Sequence, residues 1–319
     1  LKYIAFSTQY AGLALRRTMA EKLVSIFVCG VQKGGTTSIH AHFCKHPELS
    51  PPTTKETHFF DKEARDWAMP TYTELDQFFT HDDGKRRRFD ITPIYTFWPP
   101  SIPRIRDYNP AAKLIFIFRD PFERAYSQWC MEYARAAETL PFAEAIREGR
   151  ARMEGLPPLA PERRVYTYVE RGLYADQVKR AQSNFPREQL LFLRSEDLRD
   201  NHVATLARIS DFLGIDPFPD GGPKREHTRA DIDFPSEPTE ADRRLVADFV
   251  RDDLREFAAL TGLDVSGWLP DKDQPVEAPA PRQRSMGDRR PNDRAVASER
   301  RSGGPFAILE YAGRALGPA

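Results

Sequence analysis

A net charge of either sign is missing from this chain: 47 Lys and Arg offset 47 Asp and Glu over 319 residues. No global field therefore advertises nucleic acid or an anionic membrane as a partner, and any anion site has to be local. Cysteine is scarce. Cys29, Cys44 and Cys130 lack metal-ligand spacing, and their odd number suits reduced thiols in a cytosol, so all three are expected as small buried hydrophobes. Long apolar runs are missing too. LVSIFVCGV (Leu23 to Val31) and LIFIF (Leu114 to Phe118) fall far short of the roughly 20 residues of a membrane-spanning helix and read instead as buried strands. Near the N-terminus, YAGLALRRTMAEK is interrupted by Arg16 and Arg17, which makes a poor signal peptide or anchor, and a cytoplasmic location with no membrane span is expected. No internal repeat is present.

What is there divides by composition into a lead (1–21), a dense domain (22–269) and a tail (270–319). The tail is rich in Pro, Arg, Asp and Ser, has little apolar periodicity, and is expected to be disordered, with PFAILEYAGRAL as a candidate short helix. In the domain, apolar strands at Ser25–Cys29, Arg88–Ile91, Leu114–Phe118 and Gln189–Leu193 alternate with amphipathic helices. These helices begin after Gly35, after RDP with Pro121 early in the helix, and around Arg171 to Asn184, and a last one carries Leu245, Val246, Phe249, Val250, Leu254 and Phe257 on one stripe. That alternation predicts a parallel sheet covered on both faces.

FVCGVQKGGTTSIHAHF (Phe27 to Phe43) is a strand, a glycine turn and a helix start, which aims backbone N–H groups and a helix N-terminus at one phosphate-sized spot. Gly34 and Gly35 allow close backbone approach, and Thr36, Thr37 and Ser38 add hydroxyls. The spacing of Gly30 and Gly35 fits G-x-x-x-x-G-K-[ST], yet Thr36 fills the Lys slot and Lys33 sits inside the turn. The dinucleotide pattern G-x-G-x-x-G is absent. A second motif, LIFIFRDPFERAYSQW, puts Arg119 at the carboxyl end of a buried strand, where open α/β sheets bind ligands, and Ser127 two turns into the next helix. An Arg fork there suits a phosphate, and a salt bridge from Arg119 to Asp120 or Glu123 is the structural alternative.

GVQKGGTTS and RDPFERAYS resemble the 5′-phosphosulfate loop and the 3′-phosphate motif of the sulfotransferases that use 3′-phosphoadenosine 5′-phosphosulfate (PAPS). The likeness runs on through RGLYADQVKRAQSNFPREQLLFLRSEDL to the helix before SGWL, over residues 23–269, and spans carbohydrate and bacterial enzymes. It implies a P-loop-like three-layer α/β fold with a central parallel sheet flanked by helices, and PAPS as sulfuryl donor with no metal. It also implies that Lys33 stabilises the leaving phosphate while Gly35, Thr36, Thr37 and Ser38 cradle the 5′-phosphate. Arg119 and Ser127 then take the 3′-phosphate. GGPKREHTR (Gly221 to Arg229) falls where the family has a basic loop over the donor, adding Lys224, Arg225 and His227 as phosphate contacts.

KETHFFD (Lys55 to Asp61) is the candidate acceptor side. Read as extended chain, it puts Glu56 and His58 on one side and lets Phe59 or Phe60 anchor the segment. Sulfuryl transfer to a hydroxyl needs a base at the attacking oxygen and a cation at the leaving one, roles that Glu56 and Lys33 can fill. The segment resembles the K-E-x-H-F-F-D stretch of sulfotransferases acting on heparan-type glucosamine, which implies Glu56 as base with His58 and Asp61 in support. His58 is the second candidate base, as in many cytosolic aryl and alcohol sulfotransferases. His40, His42 and His46 are read as a surface or acceptor-facing helix, with His42 and His46 at i, i+4 spacing that can bind a metal only if a third ligand arrives. GKRRRFDITPIYTFWPP (Gly84 to Pro100) reads equally as a sugar-gripping patch or as a turn entering a strand. The expected activity is direct transfer to a hydroxyl of a carbohydrate or glycosylated small molecule. A P-loop kinase and a catalytically silent nucleotide-binding module are the alternatives.

Overall fold

The computed structural model describes residues 23–80, 86–219 and 234–270. In chain order they form β1 (Val24–Gly30), α1 (Thr36–Phe43), β2 (Leu49–Ser50), α2 (Thr73–Asp76), β3 (Arg87–Ile91), α3 (Ser101–Tyr108), β4 (Lys113–Phe118) and α4 (Pro121–Ala134). After these come α5 (Phe142–Arg152), α6 (Arg163–Tyr166), α7 (Ala175–Asn184), β5 (Leu190–Arg194), α8 (Ser195–Asp200), α9 (His202–Leu213) and α10 (Glu240–Thr261). The five strands make one sheet in the order β2-β3-β1-β4-β5, every neighbouring pair parallel. This is the expected P-loop-like arrangement, a central parallel sheet flanked by helices. With β1 in the middle and β3 and β4 on either side, the crossover direction reverses at the carboxyl end of β1, where such sheets hold ligands.

Because strand side chains alternate, the continuous apolar runs split into two cores. Phe27, Leu114, Phe116 and Phe118 pack on one face with α3, α4, α7 and α10. Ile26, Val28, Ile115 and Ile117 pack on the other with Ile39 and Phe43 of α1 and Leu206, Ile209 and Leu213 of α9. Helix α4 starts where the sequence says it should: Pro121 opens it, and the Asp120 carboxylate accepts from the N–H groups of Phe122 and Glu123. Helix α10 starts with a reciprocal capping box between Thr239 and Asp242. Its Phe257, fully buried, meets Phe118 at 4.7 Å and Tyr174 at 5.4 Å between ring centres, which fastens the last helix to the sheet.

The four expected strands are present, each shifted by one residue at one or both ends, and β2 was not foreseen because two residues carry no period. Gln189 closes a 3-10 turn instead of opening β5, and α7 begins at Ala175, with Arg171 in a preceding 3-10 turn. Cys29 and Cys130 are buried as expected, but Cys44 is exposed at the end of α1. In the basic run that enters β3, Arg87 donates to the Leu213 carbonyl at 2.7 Å, and Lys113 of β4 donates to those of Phe212 and Leu213. Two cations thus cap the carboxyl end of α9. Of the aromatic residues after it, Tyr95 and Trp98 are core and Phe97 is half-buried under the Arg171 guanidinium at 4.7 Å, so the sugar-gripping reading of that segment gives way to a packing one. The lead, the tail beyond Pro270 and the candidate helix in it lie outside the described residues. Among the described residues no helix is long and apolar enough to cross a membrane.

Phe257→Ala should lower unfolding free energy by about 3–5 kcal/mol in chemical denaturation, while Val203→Ala, exposed on α9, should change it by less than about 0.5 kcal/mol. Equal small effects would mean that α10 is not fastened through Phe257.

Candidate functional site

The loop after β1 turns under β4. Val31 donates its N–H to the Ile117 carbonyl at 2.9 Å, and Gly34 donates to the Val31 carbonyl at 2.9 Å. A β-carbon on Gly34 would sit 2.3 Å from the Ile117 oxygen, so no other residue fits without moving backbone. Gly35, at φ 97°, is the N-cap of α1 and offers no side-chain cap, and the first turn of the helix has no acidic residue. A helix start with uncapped N–H groups and its positive dipole end unneutralised suits an anion. Thr36 is buried, Thr37 and Ser38 are half-buried, and Lys33 sits in the turn with a left-handed backbone, φ 74°. Burial pushes the Lys33 ammonium below its ordinary value, and Arg135 and Arg119 push it the same way. Among the described residues it pairs with no carboxylate, so an incoming anion would relieve it.

Arg119 follows the last residue of β4. Its guanidinium donates to the Lys33 carbonyl at 3.1 Å and reaches Glu123 at 3.4 Å, so it touches the loop and forms one of the two anticipated salt bridges. Asp120 is engaged elsewhere, by Arg243 of α10 at 2.9 Å. Ser127 is half-buried two turns along α4. Lys224, Arg225 and His227 lie outside the described residues.

The Lys55–Asp61 segment is not extended. Glu56 and His58 take left-handed backbones, φ 64° and 50°; with Lys33 they make three of the four non-glycine residues at positive φ among the described residues. Such conformations cost of order 1 kcal/mol or more each and mark over-determined positions. The over-determination is visible here. Thr57, between the two, donates to buried Asp90 at 2.7 Å, an acceptor shared with Thr92 and Tyr95, while Phe59 and Phe60 are fully buried. Glu56 and His58 therefore do meet, at 3.5 Å, through a kinked chain and not through strand alternation.

A row of alternating charge results. Lys55 donates to Thr37 Oγ1 at 3.2 Å and to Glu56 at 2.9 Å; His58 bridges Glu56 and Asp61, the latter at 3.0 Å; Arg164 closes the row on Asp61 at 2.5 Å while stacking 4.0 Å over Trp98. Burial alone would lift the Glu56 carboxyl, but hydrogen bonds and charge from His58 and Lys55 overrule it and hold it at about 2. Burial would likewise depress His58, yet the Asp61 and Glu56 carboxylates raise it to about 9. At neutral pH the site holds a carboxylate beside an imidazolium.

Lys55, Asp90, Arg164 and Arg171, which reaches Gln32 of the loop at 2.6 Å, were not singled out from sequence. Lys55 had a signal, its place in the same heptapeptide; Asp90 and Arg171 lie in segments already noted for other reasons, and Arg164 in a polar stretch, with nothing local to reveal their partners. The histidine reading is corrected. His46 lies beyond the end of α1, and both His42 and His46 are buried, their Nε2 atoms 2.8–2.9 Å from His202 Nε2 (His42) and the Asp216 carbonyl (His46). His42 packs α1 against α9, and His46 ties the chain just past α1 to the chain just past α9. Among the described residues no group of three or more His, Cys, Asp or Glu could hold a metal ion.

Comparison with known proteins gives a consistent answer. A family profile described as sulfotransferase domain matches residues 24–229. The chain is 28% identical over 196 residues to the human heparan sulfate glucosamine 3-O-sulfotransferase 3B1, covering 61% of this chain and 47% of that one. It is 28% identical over 212 residues to the human bifunctional heparan sulfate N-deacetylase/N-sulfotransferase 2, covering 62% and 23%. The chain thus spans less than half the length of these curated relatives. A crystal structure of a sulfotransferase from Alicyclobacillus acidocaldarius superposes with a TM-score of 0.62 at 26% identity, covering 76% of this chain and 98% of that one.

The charge row has a pH signature. A histidine raised above 6.5 stabilises the fold fully below that value and loses the contribution as pH rises through about 9; a carboxylate held at about 2 contributes above its ordinary 4.5 and loses it as pH falls toward 2. The His58 ring resonance should accordingly titrate near 9 in NMR, and Asp61→Asn should bring its midpoint down. A wild-type midpoint near 6.5 would mean the row does not form in solution.

Proposed function

Because this chain belongs to the sulfotransferase domain family, its matching segment covering residues 24–229, we propose that it moves a sulfuryl group from PAPS to a hydroxyl of a carbohydrate or glycosylated small molecule. The observation that carries this reading is the contact between the two halves of the site. Lys55 bridges Thr37, at the helix start that suits a phosphate, and Glu56, the candidate base. The loop fits a phosphosulfate in three respects: backbone approach at Gly34, uncapped N–H groups at the start of α1, and an ammonium at Lys33 that burial, Arg135 and Arg119 depress and that Glu132 offsets only in part. Arg119, fixed to the Lys33 carbonyl, and Ser127 are the proposed 3′-phosphate contacts.

In the transfer, the acceptor oxygen forms a bond to sulfur as the bond from sulfur to the 5′-phosphate oxygen breaks. Negative charge grows on that phosphate, where Lys33 would stabilise it. The acceptor proton goes to Glu56. A carboxylate at about 2 is a weak base, but it is sufficient here: once its oxygen is bonded to sulfur, the hydroxyl is far more acidic than any carboxylic acid, so the proton can leave late. His58, with both ring nitrogens turned to carboxylates and its pKa at about 9, is an imidazolium that holds Glu56 instead of a base in its own right. The likeness to enzymes named for heparan sulfate glucosamine supports a sugar hydroxyl as acceptor.

Glu56→Gln should lower kcat by about 10²–10⁴-fold with binding of the product 3′-phosphoadenosine 5′-phosphate (PAP) retained, whereas Lys33→Ala and Arg119→Ala should weaken PAP binding in calorimetry. Full turnover in Glu56→Gln would remove it as the base; unchanged PAP affinity in both other variants would sink the donor site. PAP should also draw Lys55 from Glu56 and add negative charge nearby, so the Glu56 carboxyl, followed by ¹³C NMR, should titrate higher with PAP than without. An unmoved midpoint would separate the two halves of the site.

A further inference from the structure

Behind the loop lies a cavity of about 10 Å³, counted as the space open to the centre of a water molecule, lined by Val31, Gln32, Thr96, Arg124, Arg171 and Gln177 among others. Three of these lining residues are more than nine-tenths buried, and each carries a polar atom with no hydrogen-bond partner among the described residues: Thr96 Oγ1, Arg124 Nε and Gln177 Oε1. A buried polar atom left unpaired is destabilising, so three of them on residues that line one cavity demand a common explanation.

The chemistry of the three atoms identifies what would satisfy them. Gln177 turns its Nε2 to the carbonyls of Arg171 and Leu173, at 3.1 and 2.6 Å, so its amide orientation is fixed and the atom left over is an acceptor. Arg124 spends its two terminal nitrogens on Gln128 Oε1 and the Tyr168 carbonyl, and Nε–H is left over as a donor. The Thr96 hydroxyl can do either. An occupant must therefore accept from Arg124, donate to Gln177 and bond Thr96. A halide would accept from Arg124 but meet the Gln177 oxygen lone pairs, and a cation would meet the guanidinium.

We propose that this cavity is a binding site for one ordered water molecule, held by Thr96 Oγ1, Arg124 Nε and Gln177 Oε1, that joins the turn after β3, α4 and α7 behind the phosphate loop. The cavity is at the lower limit of what one water requires, about 10–15 Å³, and three partners is the usual number for a buried water. Its structural consequence follows from the neighbours. Thr96 is pinned to the exit of β1 by its N–H to the Cys29 carbonyl at 2.9 Å, and Arg171, whose carbonyl Gln177 holds, reaches Gln32 of the loop. The water completes a rigid back wall for Val31 and Gln32.

The test is a crystal structure of the protein without donor, from crystals soaked in bromide, at a resolution that shows ordered waters, together with oxygen-17 relaxation dispersion in solution. One water is expected within about 3.2 Å of at least two of the three atoms. Thr96→Val should lower the count of long-lived waters by one and the folding equilibrium constant about 5- to 30-fold, and Thr96→Ser should retain the water. A bromide peak in the cavity, a direct protein partner for Arg124 Nε, or an unchanged count of long-lived waters in Thr96→Val would each overturn the site. None of these readouts uses PAPS, so failure of the functional reading would leave the water site standing, and the reverse.

Discussion

The loop between β1 and α1 can lie where it does only because Gly34 has no side chain: the Ile117 carbonyl occupies the place a β-carbon would take. That single close approach ties the loop to β4, and much else follows from the tie. It seats Val31 on the same carbonyl, turns Lys33 into a left-handed conformation, and lets the residue just past β4, Arg119, clamp the Lys33 carbonyl. The anion-directed groups are therefore positioned by one strand end and not by independent loops. A parallel sheet makes this possible, because adjacent carboxyl ends emerge side by side.

Lys55 extends the same order to the acceptor side. From it the charges run positive, negative, positive, negative, positive through Glu56, His58, Asp61 and Arg164, and each inner member is held by neighbours of opposite sign. Two devices keep this row in place. Asp90, a buried carboxylate among three hydroxyls, grips Thr57 from below, and Trp98 lies under the Arg164 guanidinium. The strained backbones of Glu56 and His58 persist because both ends of the segment are anchored, with Phe59 and Phe60 in the core.

What the sequence made legible was local. The loop and its glycines, the proline that opens α4, and Arg119 at a strand end each declare themselves within a few residues, and the structure sets Arg119 against the loop, whereas the Asp120 cap of α4 emerges only from the fold. KETHFFD was legible as a cluster but not as a conformation, because nothing in seven residues reveals that Asp90 and Tyr95, more than 30 positions on, dictate its backbone. Arg164 was invisible for the same reason, its partner Asp61 lying 103 residues away. An arginine in PERRVY looks like a solvated charge until the fold brings a carboxylate and an indole to it. His42 and His46 misled in the opposite direction: polar character suggested a surface, and the partner that buries His42 is 160 residues on.

Although the whole chain is electrically neutral, its site is not uniform. On the loop side, burial first, and then the nearby Arg135 and Arg119, depress the Lys33 ammonium more than Glu132 restores it, an arrangement that an incoming anion would relieve. On the acceptor side the charges are already paired, so little is gained there by adding one. Such a division suits the highly charged donor and the uncharged hydroxyl proposed as its ligands. Lys55 stands on the boundary and can answer to either side, through Thr37 or through Glu56. Negative charge arriving at the loop would compete with Glu56 for that ammonium, and Glu56 would gain proton affinity as it lost its partner. If Glu56 is the base proposed above, it would thus strengthen when the donor is in place and stay weak when it is not, with no moving part larger than one lysine side chain.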